Sequence, residues 1–130
     1  MPETGSAYQY TVITVDDDPV MLDVVGRYLT GRGLRVLQTT DPENVIPLAL
    51  KEKPRLIISD IAMPGLDGLT LLTRLKENTE TANIPVILLT SSKDPADMER
   101  GLDTGAEAYL VKPIDWDQCW PKIQAIIMRS

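Results

Sequence analysis

The sequence predicts an α/β fold, a doubly wound (βα)5 domain with a five-stranded parallel sheet. Three observations predict it. Short apolar runs alternate with helical patterns about every 25 residues, which suits right-handed βα crossovers. Two runs, Leu56-Ile57-Ile58 and Val86-Ile87-Leu88-Leu89, are continuously apolar, as expected of central parallel strands covered on both faces. Four runs also close on polar residues. Thr11-Val12-Ile13-Thr14-Val15 ends in Asp16-Asp17-Asp18, and Leu56-Ile57-Ile58-Ser59 ends in Asp60. Val86-Ile87-Leu88-Leu89 ends in Thr90, and Tyr109-Leu110-Val111 ends in Lys112. Parallel strands share a carboxyl edge, and open α/β sheets bind ligands there.

The elements follow in order. After the first strand, Asp18-Pro19 reads as an N-cap with proline at the first helical position. Val20, Met21, Val24, Val25, Tyr28 and Leu29 recur at helical spacing, and Gly33 supplies a stop. Leu34-Arg35-Val36-Leu37-Gln38-Thr39 mixes polar residues into a strand and reads as an edge. Asp41-Pro42 opens a second helix through Ala49 and Lys51, which Pro47 should shorten or kink. Asp67-Gly68 starts a third, with Leu69, Leu72 and Leu75 on one face. Asp94-Pro95 starts a fourth that ends near Gly105, with Met98 and Leu102 as its apolar anchors and Gly101 inside it. The short run at Tyr109 is the other edge. Asp115 and Gln118 resemble a capping box for a fifth helix, with Cys119, Trp120, Ile123 and Ile127 facing inward and Pro121 disturbing its first turns. The sheet order follows as 2-1-3-4-5, the flavodoxin-like arrangement. Residues 1–9 read as a flexible N-terminal extension and residues 10–130 as one domain.

Composition narrows the function. With 130 residues, 43% apolar and 25% charged, the chain is one ordinary globular domain. No apolar stretch approaches the ~20 residues of a membrane span, and the start lacks a signal-peptide core, so a cytoplasmic location is expected. A net charge of −6 without a basic patch argues against a nucleic-acid surface. The single cysteine, Cys119, excludes an internal disulfide, and the absence of histidine excludes triad hydrolases and histidine-built zinc sites. Chemistry must rest on carboxylates, hydroxyls and amines.

Singly, the edge residues have plain explanations. Asp16-Asp17-Asp18 suits a solvated turn, Asp60 and Thr90 suit local caps, and Lys112 suits a surface cation. Jointly, carboxylates, a hydroxyl and an ammonium at four of five strand ends suit a divalent metal and a phosphoryl group. Crowded carboxylates repel by about 4 kcal/mol for a pair ~4 Å apart at an effective dielectric near 20. A hard dication with oxygen ligands relieves that repulsion, and Mg²⁺ suits a site with few protein ligands.

Four ordered motifs carry a family resemblance. They are Val15-Asp16-Asp17-Asp18-Pro19, the stretch from Ser59-Asp60 through Met63-Pro64-Gly65 to Asp67-Gly68, Leu89-Thr90-Ser91, and Gly105-Ala106-Glu107-Ala108-Tyr109-Leu110-Val111-Lys112-Pro113. Over about residues 10–128 the chain resembles the receiver (CheY-like) domain of bacterial two-component response regulators. The resemblance implies that Asp60 accepts a phosphoryl group from a phosphohistidine on a sensor histidine kinase or phosphotransfer protein. It implies Mg²⁺, with Mn²⁺ as a substitute, held by Asp17 directly, Asp16 mainly through water, Asp60, and the Ala62 backbone carbonyl. Thr90 would hydrogen-bond a phosphoryl oxygen, and Lys112 would pair with Asp60 and then with the phosphate. Ala62 and Ser92 match positions that modulate phosphoryl lifetime, and Ile114 stands where phenylalanine is frequent.

Tyr109 matches the aromatic switch of the family. The signal is expected to leave through the fourth helix, fifth strand and fifth helix, with Tyr109 entering space that Thr90 vacates. That surface is also where an output domain or protein, or a second copy of the chain, would dock. The Lys112-Pro113 peptide is expected to be cis. No nucleic acid, membrane or organic cofactor is expected to bind. Nor is the domain expected to be an enzyme, beyond assisting its own phosphorylation and dephosphorylation.

Two other functions compete. Asp16 and Asp18 after a strand also resemble the nucleophile and acid of haloacid-dehalogenase-type phosphatases, although these need a further acidic motif late in the chain. A degenerate receiver serving only as a binding module is the other. Nothing motivates it while Asp16, Asp17, Asp60, Thr90 and Lys112 are all present.

Overall fold

The alternation of apolar runs and helical patterns resolves, in a computed structural model describing residues 10–63 and 65–129, into strands and helices in strict succession. The strands are β1 (Thr11–Val15), β2 (Arg35–Thr39), β3 (Leu56–Asp60), β4 (Val86–Thr90) and β5 (Ala108–Val111). The helices are α1 (Pro19–Gly31), α2 (Val45–Glu52), α3 (Gly68–Glu77), α4 (Pro95–Thr104) and α5 (Trp116–Ile127). All strand pairs are parallel, in the order β2-β1-β3-β4-β5. The fold is thus the expected flavodoxin-like doubly wound sheet. The expected extension over residues 1–9 lies outside the described residues.

Side chains alternate across each strand, so the sheet feeds two cores. Val12, Leu56, Ile58, Ile87 and Leu89 pack with Val25 and Leu29 of α1 and with Trp116, Ile123, Ile126 and Ile127 of α5. Ile13, Ile57, Val86 and Leu88 face the other way, onto Val45 and Ala49 of α2 and Leu71, Leu72 and Leu75 of α3. Every residue of β3 and β4 is buried, which accounts for their unbroken apolar runs. The edge strand β2 is only half-buried and keeps its polar residues.

The helix starts follow their caps. Asp18, Asp67, Asp94 and Asp115 each accept a backbone N–H of the first turn. Gly105, at φ 118°, closes α4 in the left-handed conformation that glycine adopts freely. The Lys112-Pro113 peptide is cis.

The expectations for α2 and α4 need correction, whereas those for α3 and α5 hold, with Leu69, Cys119 and Trp120 packed at the edges of their cores. Asp41 caps a 3₁₀ turn, Pro42–Asn44, and α2 begins only at Val45. Pro47 therefore sits in the first turn of α2, where an N–H would have no intrahelical partner, and no kink is required. In α3 the buried leucines are Leu71, Leu72 and Leu75, with Leu69 only half-buried. In α5 the buried residues are Trp116, Ile123, Ile126 and Ile127, while Cys119 and Trp120 sit at the margin. Met98 and Leu102 do not anchor α4. They are 38% and 44% exposed, and Gly101 is the buried residue of that helix.

Candidate functional site

Strand register assembles the edge. Val15 pairs with Ser59, so Asp16 emerges level with Asp60 at the end of β3. Asp60 pairs with Leu89, which puts Thr90 one step further along β4. Thr90 pairs with Val111, so Lys112 is the next residue past β5. Four segments far apart in sequence thus bring five residues, Asp16, Asp17, Asp60, Thr90 and Lys112, to one end of the sheet. Asp16, Asp60 and Thr90 are buried there, at 3%, 5% and 7% exposure, while Asp17 faces solvent.

The carboxylates of Asp16, Asp17 and Asp60 each place an oxygen within 4.8 Å of the others. Lys112 Nζ lies 2.9 Å from Asp60 Oδ1 and 3.6 Å from Asp16 Oδ2. One ammonium therefore faces two of the three clustered carboxyl groups. Asp16 Oδ1 accepts the Asp18 N–H at 2.9 Å, but Asp16 Oδ2 is buried without a hydrogen-bond partner. Burial pushes the Asp16 carboxyl above its ordinary range, aided by the charge of Asp60 and opposed by the Asp18 N–H and Lys112. Burial works against the charge of Lys112, but its hydrogen bond and ion pair to Asp60, with Asp16 nearby, hold the ammonium above its usual value.

These observations test the fit of a divalent cation. An orphaned buried carboxylate oxygen, two companion carboxylates and no nitrogen or sulfur donor match a hard, oxygen-seeking ion such as Mg²⁺. The residues fit. Ala62 lies exposed on the loop two residues past Asp60.

Asp18 stands apart from this group. It is exposed, and its carboxylate accepts the Val20 N–H as the cap of α1. It is not among the carboxylates that converge with Asp60, which leaves the alternative phosphatase pairing of Asp16 with Asp18 without support.

Two positioning features were not legible as such. Gly68, read as a helix start, packs against the backbone of Asp60; a methyl group there would meet Asp60 O and lie 2.8 Å from Ile61 Cα. The Gly68 N–H also donates to Ile61 O at 2.8 Å, binding the start of α3 to the end of β3. Thr90 Oγ1 accepts the Ser92 N–H at 3.0 Å, which leaves the Thr90 hydroxyl hydrogen to donate.

Tyr109 is already inward. It is 9% exposed, packs in the core beside Leu88, and its hydroxyl is buried without a partner.

Comparison with known proteins agrees with this geometry. Residues 12–124 match the response regulator receiver domain family. The chain is 35% identical over 119 residues to the DNA-binding dual master transcriptional regulator RpaA of Synechocystis, covering 92% of this chain and 49% of that protein. It thus spans about half the length of that relative. A putative response regulator from Chloroflexus aurantiacus superposes with a TM-score of 0.86 at 29% identity, covering 92% of this chain and 98% of that one. The receiver domain of sensor histidine kinase PA1611 from Pseudomonas aeruginosa superposes at 0.83 with 26% identity, over 92% and 98% of the two chains. That structure has a magnesium ion coordinated in its active site cleft. Sheet order, the converging edge and the matched span lead to one conclusion: the chain belongs to the response regulator receiver domain family.

Proposed function

We propose that this domain, over residues 10–130, receives a phosphoryl group on Asp60 from the phosphohistidine of a sensor histidine kinase or phosphotransfer protein. The observation that carries the reading is the 2.9 Å pair of Lys112 with Asp60 beside the carboxylates of Asp16 and Asp17. A carboxylate oxygen of Asp60 forms the new O–P bond, and the P–N bond to the donor imidazole breaks with its electron pair returning to that ring. Such transfer needs positioning and charge neutralisation more than covalent work by the protein. Lys112 provides a fixed cation beside the acceptor oxygen, and the Thr90 hydroxyl can donate to a phosphoryl oxygen. Asp16, Asp17, Asp60 and the Ala62 carbonyl would hold Mg²⁺, with Mn²⁺ as a substitute. When bound, the ion supplies the positive charge that one ammonium cannot.

The domain acts as a phosphorylated signal carrier rather than a turnover enzyme. The kinase, any output partner and a cytoplasmic location belong to the same proposal. Among the described residues, no helix is long and apolar enough to cross a membrane. The test is intact-mass analysis after incubation with a small acyl phosphate and Mg²⁺. One added phosphoryl group, lost in Asp60→Asn, is expected; equal labelling of that variant refutes the assignment.

A further inference from the structure

Side chains not yet given a role tie the first turn of α4 to the end of β4. Ser92 stands between the two. Its N–H donates to Thr90 Oγ1 at 3.0 Å, while its own hydroxyl donates to Asp97 Oδ2 at 2.6 Å and accepts the Asp94 N–H at 3.2 Å. Asp94 caps α4, and Asp97 lies in its first turn. The other carboxylate oxygen of Asp97 pairs with Arg100 one turn later. A hydroxyl bonded to a carboxylate is the short, charge-assisted kind of hydrogen bond, stronger than a neutral one. Little else holds this helix. Gly101 is its buried residue, and Met98 and Leu102 face solvent.

We propose that Ser92 and Asp97 form a latch that fixes the Thr90 hydroxyl and the first turn of α4 together while Asp60 is unphosphorylated. This inference rests on Asp60 as phosphoacceptor. When the Thr90 side chain rotates to bring its hydroxyl to the phosphoryl group, Oγ1 moves away from the Ser92 N–H, which loses its acceptor. The loop from Ser91 to Asp94 must then rearrange, and the Ser92–Asp97 bond opens with it. A local change of partner thereby becomes a change in a weakly held helix. Asp97 is in this sense a positioning residue: it acts on Thr90 only through Ser92. It holds the resting state, so its loss loosens α4 before any phosphorylation.

Amide hydrogen exchange read by mass spectrometry tests the latch in wild type, Ser92→Ala, Asp97→Ala and Ser92→Thr. Without phosphorylation, Ser92→Ala and Asp97→Ala should speed exchange in residues 95–104 by about tenfold, the equivalent of losing one hydrogen bond. Ser92→Thr keeps the hydroxyl and should restore wild-type exchange, which a mere packing role for Ser92 would not do. With a small acyl phosphate and Mg²⁺, wild type and Asp97→Ala should each gain one phosphoryl group at Asp60, but only wild type should then show faster exchange in residues 95–104. Unlabelled wild type would refute the phosphoacceptor reading and with it the opening step. Normal labelling of wild type and Asp97→Ala, with the same α4 exchange in Asp97→Ala and Ser92→Ala as in wild type, would overturn the latch and leave that reading standing.

Discussion

The ring of Tyr109 packs directly against the backbone of Gly101. A methyl group at that glycine would lie 3.1 Å from both Tyr109 Cδ2 and Leu88 Cδ1. Glycine inside a helix costs about 0.5–1 kcal/mol relative to alanine, yet here it lets α4 sit on the ring of Tyr109. Leu88 is fully buried in a central strand, so its side chain has little room to move, whereas α4 lies at the surface with only Gly101 buried. Gly101→Ala should therefore lift α4, and overpacking of about 1–3 kcal/mol should outweigh the gain in helix propensity. A net loss of about 1 kcal/mol in urea unfolding is expected. A gain in stability would show that no crowding exists.

Gly68→Ala should be more damaging. The added methyl meets backbone at Ile61 and at Asp60, the last residue of a fully buried strand, and backbone there cannot swing aside as a side-chain tip at the surface can. A loss of about 3 kcal/mol is expected, at the upper end for overpacking. Acyl-phosphate labelling at Asp60 should also slow. An unfolding midpoint equal to wild type would refute the close approach.

Lys112→Met should separate charge from metal. It leaves Asp16 and Asp60 buried without their cation, so the metal-free protein should lose about 2–3 kcal/mol, less than a fully enclosed pair because Lys112 stays partly exposed. Mg²⁺ should stabilise wild type by about 2.7 kcal/mol at a hundred times its Kd. The variant should gain more at the same concentration, since no ammonium competes for the carboxylates. Asp17→Ala should remove most of the gain. A smaller Mg²⁺ gain in Lys112→Met than in wild type would contradict this site.

Pro121→Ala should stabilise the protein. Pro121 lies inside α5, which runs unbroken from Trp116 to Ile127. A proline there offers no N–H to the Asp117 carbonyl one turn back. Both residues are exposed, so water relieves part of the cost, and a gain of about 1–3 kcal/mol is expected rather than more. A fall in melting temperature would mean that the proline has a compensating role.

Local patterns carried most of the fold. The cap at Asp18 and Pro19, the apolar runs of β3 and β4 and the polar admixture in β2 each act within a few residues. The reading failed where an element's environment comes from elsewhere in the chain. Met98 and Leu102 have the spacing of anchors, yet α4 meets the sheet at Gly101, over Tyr109 and Leu88, so the apolar residues are turned outward. Pro47 looked like an interior break until the 3₁₀ turn before it moved the start of α2.

The identity of the edge residues was already written in the chain, because each strand ends in its own polar group and parallel strands must share that end. Distance and burial were not. The approach of Lys112 to Asp60, the unpartnered oxygen of Asp16, the seating of Gly68 on Asp60 and the Ser92–Asp97 bond all depend on how separate βα units dock. Periodicity and capping are short-range, so sequence reports them. Pairing between units depends on register and packing across the sheet, which exist only once the whole domain has closed.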